Sequence, residues 1–63
     1  MQARLLKVNE AAEMLGLKPS TLRAWILRRK IEFVRVGRAV RIPAVAIAQF
    51  IERNTVPARE QRR

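Results

Sequence analysis

Gly16 and Pro19 stand three positions apart, and that spacing limits the first half of the chain to two short helices. A glycine just past a run of apolar residues accepts the left-handed turn that ends a helix. A proline suits the first turn of the next one, where its missing N–H is not needed. Upstream, Val8, Ala11, Ala12 and Leu15 recur at i, i+3, i+4 and i+7, which predicts a helix over 8–15. Asn9, Glu10 and Glu13 fall on its other side, with the acids early, where they suit the helix dipole. Downstream, Leu22, Trp25, Ile26 and Arg29 make one stripe; Ser20, Arg23, Ala24, Leu27 and Arg28 make the opposing one. This predicts a second helix over 19–29 that buries Leu22, Trp25 and Ile26 and displays two arginines. Two short helices joined by a tight, glycine-containing link form a helix-turn-helix pattern, which an ordinary αα-hairpin also gives.

The period then changes. In residues 32–42, Val34, Val36, Val40 and Ile42 alternate with Arg35 and Arg41, and Gly37-Arg38 interrupts the run, which predicts a β-hairpin. A two-residue Gly37-Arg38 loop would pair Val34 with Arg41 and mix the faces. A three-residue loop, 37–39, pairs Val36 with Val40 and Val34 with Ile42 and keeps one face apolar. The longer loop, or a bulge, is the expected arrangement, and it sets Arg35 opposite Arg41. Like charges so placed destabilise a sheet. They make sense if the hairpin meets phosphate, although charge on a solvated edge also keeps a strand soluble.

Pro43 marks a third helix start, and Ala46, Ile47, Phe50 and Ile51 give its period over about 43–53. Val45 and Ala48 widen its uncharged side, so part of it is expected to lie uncovered. At the other end, 1–4 reads as a frayed terminus, and Leu5-Leu6 as a short extended segment. The expected fold is mainly α with a small β-hairpin, a winged helix-turn-helix of order α-α-β-β-α. The domain is assigned to 1–53, and 54–63 to a disordered basic tail.

Composition narrows the function. The chain has 63 residues, no cysteine and no histidine. A single domain of this size buries only about 60% of its unfolded surface. No disulfide is available, and the commonest metal ligands and general base are missing. The five acids are scattered, and Glu10 and Glu13 read as solvated charges. No catalytic constellation, cofactor site or metal site is expected. The longest uncharged stretch, 42–51, is too short for a membrane span of roughly 20 residues. The N-terminus lacks the apolar core of a signal peptide. A cytoplasmic protein with no membrane contact is the expectation.

Fourteen Lys and Arg against five acids give a net charge of +9, which draws the chain to polyanions. Between positions 18 and 41 lie eight basic residues and one acid, Glu32, so most of the charge sits on the second helix and the hairpin. Cations that neutralise phosphates release counterions and give affinity without sequence information, whereas an exposed helix in the major groove reads base edges. The expected double-stranded DNA contacts are Lys18, Ser20, Thr21, Arg23, Ala24, Arg28, Arg35, Arg38 and Arg41. Arg23 either bonds guanine or clamps a phosphate. Ser20 and the helix N-terminus suit a phosphate, and Arg38 at the hairpin tip suits the minor groove. Ala24 suits a thymine methyl. Leu27 reads either as a methyl contact or as core facing the hairpin, and Thr21 either as a contact or as packing behind the turn. Arg29 and Lys30 read equally as charges favoured by the helix C-terminus. Trp25 reads as core.

The stretches KVNEAAEMLGLKPSTLRAWILRRKI, VRVGRAVRIP and AIAQFI closely resemble the small excisionase family of winged helix-turn-helix proteins, related to the MerR-type DNA-binding domain. The resemblance covers roughly 5–51 and is carried most specifically by EAAEMLGL with STLRAWI and by VGRAVRIP. It implies a second helix in the major groove and a wing on the neighbouring minor groove or backbone. It also implies a recombination directionality factor that binds near attachment sites, bends DNA and helps an integrase, a tyrosine or serine recombinase, to excise a mobile element. Such factors perform no chemistry. Three positions depart from the pattern. Lys7 stands where many relatives have Thr or Ser to cap the first helix, and Lys18 replaces a common Ser. Position 23, often aromatic, is Arg here, closer to the MerR-type pattern, so sequence preference does not transfer.

A small transcriptional regulator or antitoxin-like repressor of the same fold is the alternative; MerR-type regulators usually continue into a long dimerisation helix and an effector domain. A third reading makes the basic surface a protein-interaction module for an acidic partner. Cooperative self-association on adjacent DNA sites is expected from the small size and the uncovered apolar stripe. RNA binding is disfavoured, because exposed aromatics for base stacking are lacking.

Overall fold

The computed structural model describes residues 4–59. Six elements follow in order: β1 (Leu5–Lys7), α1 (Val8–Leu15), α2 (Pro19–Leu27), β2 (Val34–Val36), β3 (Ala39–Pro43) and α3 (Ala44–Asn54). The strands form one antiparallel sheet of order β1-β3-β2. The extended segment expected at Leu5-Leu6 is thus a strand, and it precedes the expected order as a sixth element. Arg4, placed in the frayed end, is held: its carbonyl accepts from the Ala44 N–H at 2.8 Å. Positions 1–3 of that end, and 60–63 of the tail, lie outside the described residues.

The core is small and apolar. Leu6, Ala11, Ala12, Leu22, Ile26, Ile31, Ile42, Ala46 and Ile47 are buried, and Val8, Leu15, Trp25, Phe33, Val40, Ala44 and Phe50 pack against them. No polar or charged side chain is buried among the described residues. Two alanines of α1 carry no exposed surface, and their small size lets α1 approach α2 and the sheet closely.

Both helix-turn-helix helices end in the same way. Past α1, Leu17 N–H donates to Ala12 O at 2.8 Å and Gly16 N–H to Glu13 O at 3.1 Å, with Gly16 at φ 70°. Past α2, Lys30 N–H donates to Trp25 O at 2.9 Å and Arg29 N–H to Ile26 O at 3.0 Å, with Arg29 at φ 59°. These are paired Schellman bonds around a left-handed residue. The expected second helix over 19–29 therefore stops at Leu27. The stripe of Leu22, Trp25 and Ile26 gives the reason. A helix continued through Arg29 would aim its guanidinium at the core. Reversal at Arg29 leaves that charge exposed and returns Ile31, 5% exposed, to the core instead.

The hairpin departs from expectation. Its register is Val34↔Arg41, Arg35↔Val40 and Val36↔Ala39, which closes a two-residue Gly37-Arg38 turn and not a three-residue loop. Arg35 consequently faces Val40, and it does not pair with Arg41. Gly37 alone of the turn has positive φ, 61°, as a type II′ turn requires at its first central position. No apolar face selects the longer loop, because all of β2 is exposed. A strand beyond the core gains nothing from a consistent apolar face, so turn geometry sets its register. Nearer the core, pairing with β1 governs: Leu6 lies opposite Ile42, both buried, and Lys7 opposite Arg41. A like-charge pair does exist across the sheet, but its members are Lys7 and Arg41.

Candidate nucleic-acid interface

Pro19 opens α2, and the carbonyl of Lys18 accepts from Thr21 N–H at 3.0 Å and Leu22 N–H at 3.1 Å. No side chain caps this helix. Lys18 and Ser20 are exposed at its start, and Thr21 is half-buried. Leu22 and Ile26 anchor the helix below, while Trp25 packs on Phe50 of α3 with ring centroids 5.4 Å apart. That anchoring fixes which side faces outward. Arg23, Leu27 and Arg28 are exposed and Ala24 is half-buried. Leu27 is 83% exposed, which removes the core reading for it. Trp25 is half-buried against the core, as expected.

The sheet adds a second set of cations. Arg38 is exposed at the hairpin tip and Arg35 on β2. Arg41 is half-buried, and its Nη1 donates to Val40 O at 2.9 Å. Arg23 lies on the wing side of α2, where one groove of about 350 Å³ is lined by Lys7, Val8, Asn9, Arg23, Val40 and Arg41. Beside it a groove of about 260 Å³ is lined by Val8, Arg23, Ile26, Leu27 and Val40. Of the expected contact residues, the fold therefore brings Arg23 and Arg41 together. Arg28 caps the C-terminal end of α2 and is absent from both grooves. Arg29 and Lys30 are occupied nearby: the Arg29 guanidinium lies 5.9 Å from the Phe33 ring centroid and Lys30 Nζ lies 5.1 Å from that of Trp25.

Lys7 and Asn9 join this surface without having been expected there. The sequence marks Lys7 only as a poor cap, and its side chain makes no capping bond. Its backbone N–H instead donates to Glu10 Oε1 at 2.9 Å, so Glu10 closes the helix start and is more than a solvated charge. Three residues of β1 carry too little pattern to reveal the pairing that sets Lys7 beside Arg41.

Two short helices joined through Gly16 and Pro19, followed by a hairpin against the same core, define a winged helix-turn-helix, a DNA-binding class of fold. Residues 5–55 match the helix-turn-helix domain family, and the chain belongs to it. The chain is also similar to a protein of Saccharopolyspora erythraea described as "Probable excisionase", with 45% identity over 49 residues, 78% of this chain and 50% of that protein. It thus spans about half the length of the curated relative it matches. The resemblance to excisionases carried by the helix-turn-helix and wing sequences stands. No solved structure matches the chain significantly. Among the described residues no helix is long and apolar enough to cross a membrane.

Proposed function

We propose that this chain binds double-stranded DNA with sequence preference and serves as an excisionase-like recombination directionality factor. In this reading α2 lies in the major groove, with Ser20, Thr21, Arg23, Ala24 and Arg28 toward the bases and flanking phosphates. Lys18 and the start of α2 meet one strand's backbone. The wing follows the adjacent minor groove or backbone through Arg35, Arg38 and Arg41. Bound near an attachment site, the protein bends DNA and favours excision by an integrase, with neighbouring copies binding cooperatively.

The observation that carries the reading is where the charge lies. Eight cations lie from position 18 to position 41: Arg23 on α2, Lys18 just before it, Arg28, Arg29 and Lys30 just after it, and Arg35, Arg38 and Arg41 on the hairpin. The similarity to the Saccharopolyspora erythraea protein described as "Probable excisionase" supports the recombination role. An α-helix with its side chains is about 10–12 Å across, which matches a major groove of roughly 12 Å, so the nine-residue α2 can enter it.

The test is duplex binding at several salt concentrations, using DNA that flanks the gene, with circularly permuted fragments to measure bending. Arg23→Ala should weaken preferred-site binding by about 1–3 kcal/mol and relax sequence preference. Arg38→Ala should weaken all duplexes alike and lower the salt slope by about one. Unchanged affinity in both variants would overturn DNA binding by this surface. Unbent complexes, together with excision indifferent to the protein when an integrase is supplied, would overturn the recombination role alone.

A further inference from the structure

Leu27 is the most exposed residue of the helix-turn-helix core segment to be apolar and branched, at 83%, and it is not isolated. It lines the smaller groove with Val8, Ile26 and Val40, and Arg23 is the one charged residue on that lining. Scattered apolar residues on a surface are ordinary. An apolar groove on the side where the chain is most cationic is a different matter, because it must suit a partner that is anionic overall and apolar at one spot. A phosphate fails the second requirement. The base edges of duplex DNA meet both, through the one apolar group the major groove displays, the 5-methyl of a pyrimidine.

The spacing fits. Arg23 and Leu27 are four residues apart on α2, so their side chains are neighbours on one helix face, about 5–6 Å apart at Cβ. Stacked bases rise 3.4 Å per step. An arginine bonding O6 and N7 of a guanine thus leaves the side chain one turn later between one and two base steps away, and the length of a leucine side chain spans the remaining distance to the adjoining base. Val8, Ile26 and Val40 line the groove beside it, so a methyl group placed there would be covered by apolar side chains on the protein side.

We infer that the Arg23–Leu27 face with its apolar groove selects duplex DNA carrying a pyrimidine 5-methyl group next to a guanine. Arg23 reads the guanine and Leu27 the methyl. The inference rests on the DNA-binding reading above and adds the chemical class of its target step. The methyl comes from either of two bases, thymine or 5-methylcytosine. Deoxyuridine and cytosine are their counterparts without it, with the same hydrogen-bonding edges.

The experiment first defines a preferred duplex by selection from random DNA. Each thymine next to a guanine in the footprint is then replaced singly by deoxyuridine, and each cytosine so placed by 5-methylcytosine. Wild-type protein should lose about fourfold in affinity on one deoxyuridine duplex, the worth of one buried methyl. A 5-methylcytosine at that same position should bind better than cytosine by a similar factor; if only thymine has the effect, the methylated base is excluded as a source. Leu27→Ala should bind the thymine and deoxyuridine duplexes equally, at the wild-type level for deoxyuridine. Leu27→Met should keep the discrimination. Thermal melts of both variants should stay near wild type, since the side chain is exposed. Equal wild-type affinity for thymine and deoxyuridine at every such position would overturn the inference, as would discrimination that survives in Leu27→Ala. Absence of binding to any selected duplex would instead overturn the DNA-binding reading itself.

Discussion

The two helices of the helix-turn-helix are nearly the same length and end in the same pair of hydrogen bonds, yet they place different residues at the left-handed position. After α1 that residue is Gly16, at φ 70°; after α2 it is Arg29, at φ 59°. For an L-residue this conformation costs roughly 1–2 kcal/mol, and for glycine it is free of steric cost. α1 is otherwise built for support: its alanines are fully buried and Glu10 secures its start. α2 also buries two residues, Leu22 and Ile26, and packs Trp25 on Phe50, but its outward side carries Arg23, small residues and an exposed Leu27. One helix is optimised for the fold. The other accepts strain and exposure, which is where function tends to be found.

The comparison depends on a shared floor, and removing it has the largest effect. Leu22 of α2 has no exposed surface and belongs to the cluster that holds Ala11 and Ala12 of α1. Leu22→Ala should cost about 3 kcal/mol through lost burial and a residual cavity. A core of this size supplies only about 3–5 kcal/mol in all. About 0–2 kcal/mol would remain, so circular dichroism should show a sharply lowered melting temperature and a partly unfolded chain at 37 °C, with DNA binding reduced as a consequence.

Gly16→Ala tests the supporting helix alone. A Cβ at that position would meet nothing within 4 Å, so the penalty is purely conformational. About 1 kcal/mol is expected, which lowers the melting temperature by about 4–8 °C in a domain of this size. Duplex affinity, measured well below the melt, should stay at the wild-type value, because Gly16 lies outside the grooves and the displayed face of α2.

The same contrast explains what could be read from the sequence. The helix over 8–15 was legible to the residue, since Gly16 and the apolar period state its ends. The third helix was legible to within a residue; Asn54 belongs to it, with Nδ2 donating to Phe50 O at 2.8 Å. The end of α2 was not, because an arginine in a left-handed turn carries no sequence signal and only burial of Ile31 makes the reversal worthwhile. The hairpin register was missed for a related reason. Alternation reports an inward face only where a core lies beneath it, and Val34 and Val36 are 37% and 49% exposed. Of the candidate interface, the cations on α2 and the wing were visible as charge density. The grooves were not, because Val8, Lys7 and Asn9 reach them only through the tertiary fold. Arg35 and Arg41 are not paired; the wing's cations are Arg38 at the tip, Arg35 opposite Val40, and Arg41 beside Arg23.

The smallest effect has the opposite sign and is the most informative about α2. Arg29→Gly relieves the left-handed strain, a gain of about 1 kcal/mol. It also removes the guanidinium from the Phe33 ring, an exposed contact worth about 0.5 kcal/mol. The net expectation is a variant more stable by roughly half a kilocalorie per mole, seen as a slightly higher denaturant midpoint with an unchanged slope. If Arg29 also reaches a phosphate, the stabilised variant should bind duplex DNA more weakly and with a salt slope smaller by about one. Gained stability with lost affinity would mean that α2 keeps a strained residue for its charge. A loss of stability would mean that the ring contact outweighs the strain, and that α1 and α2 differ in how they are stabilised and not in what they are for.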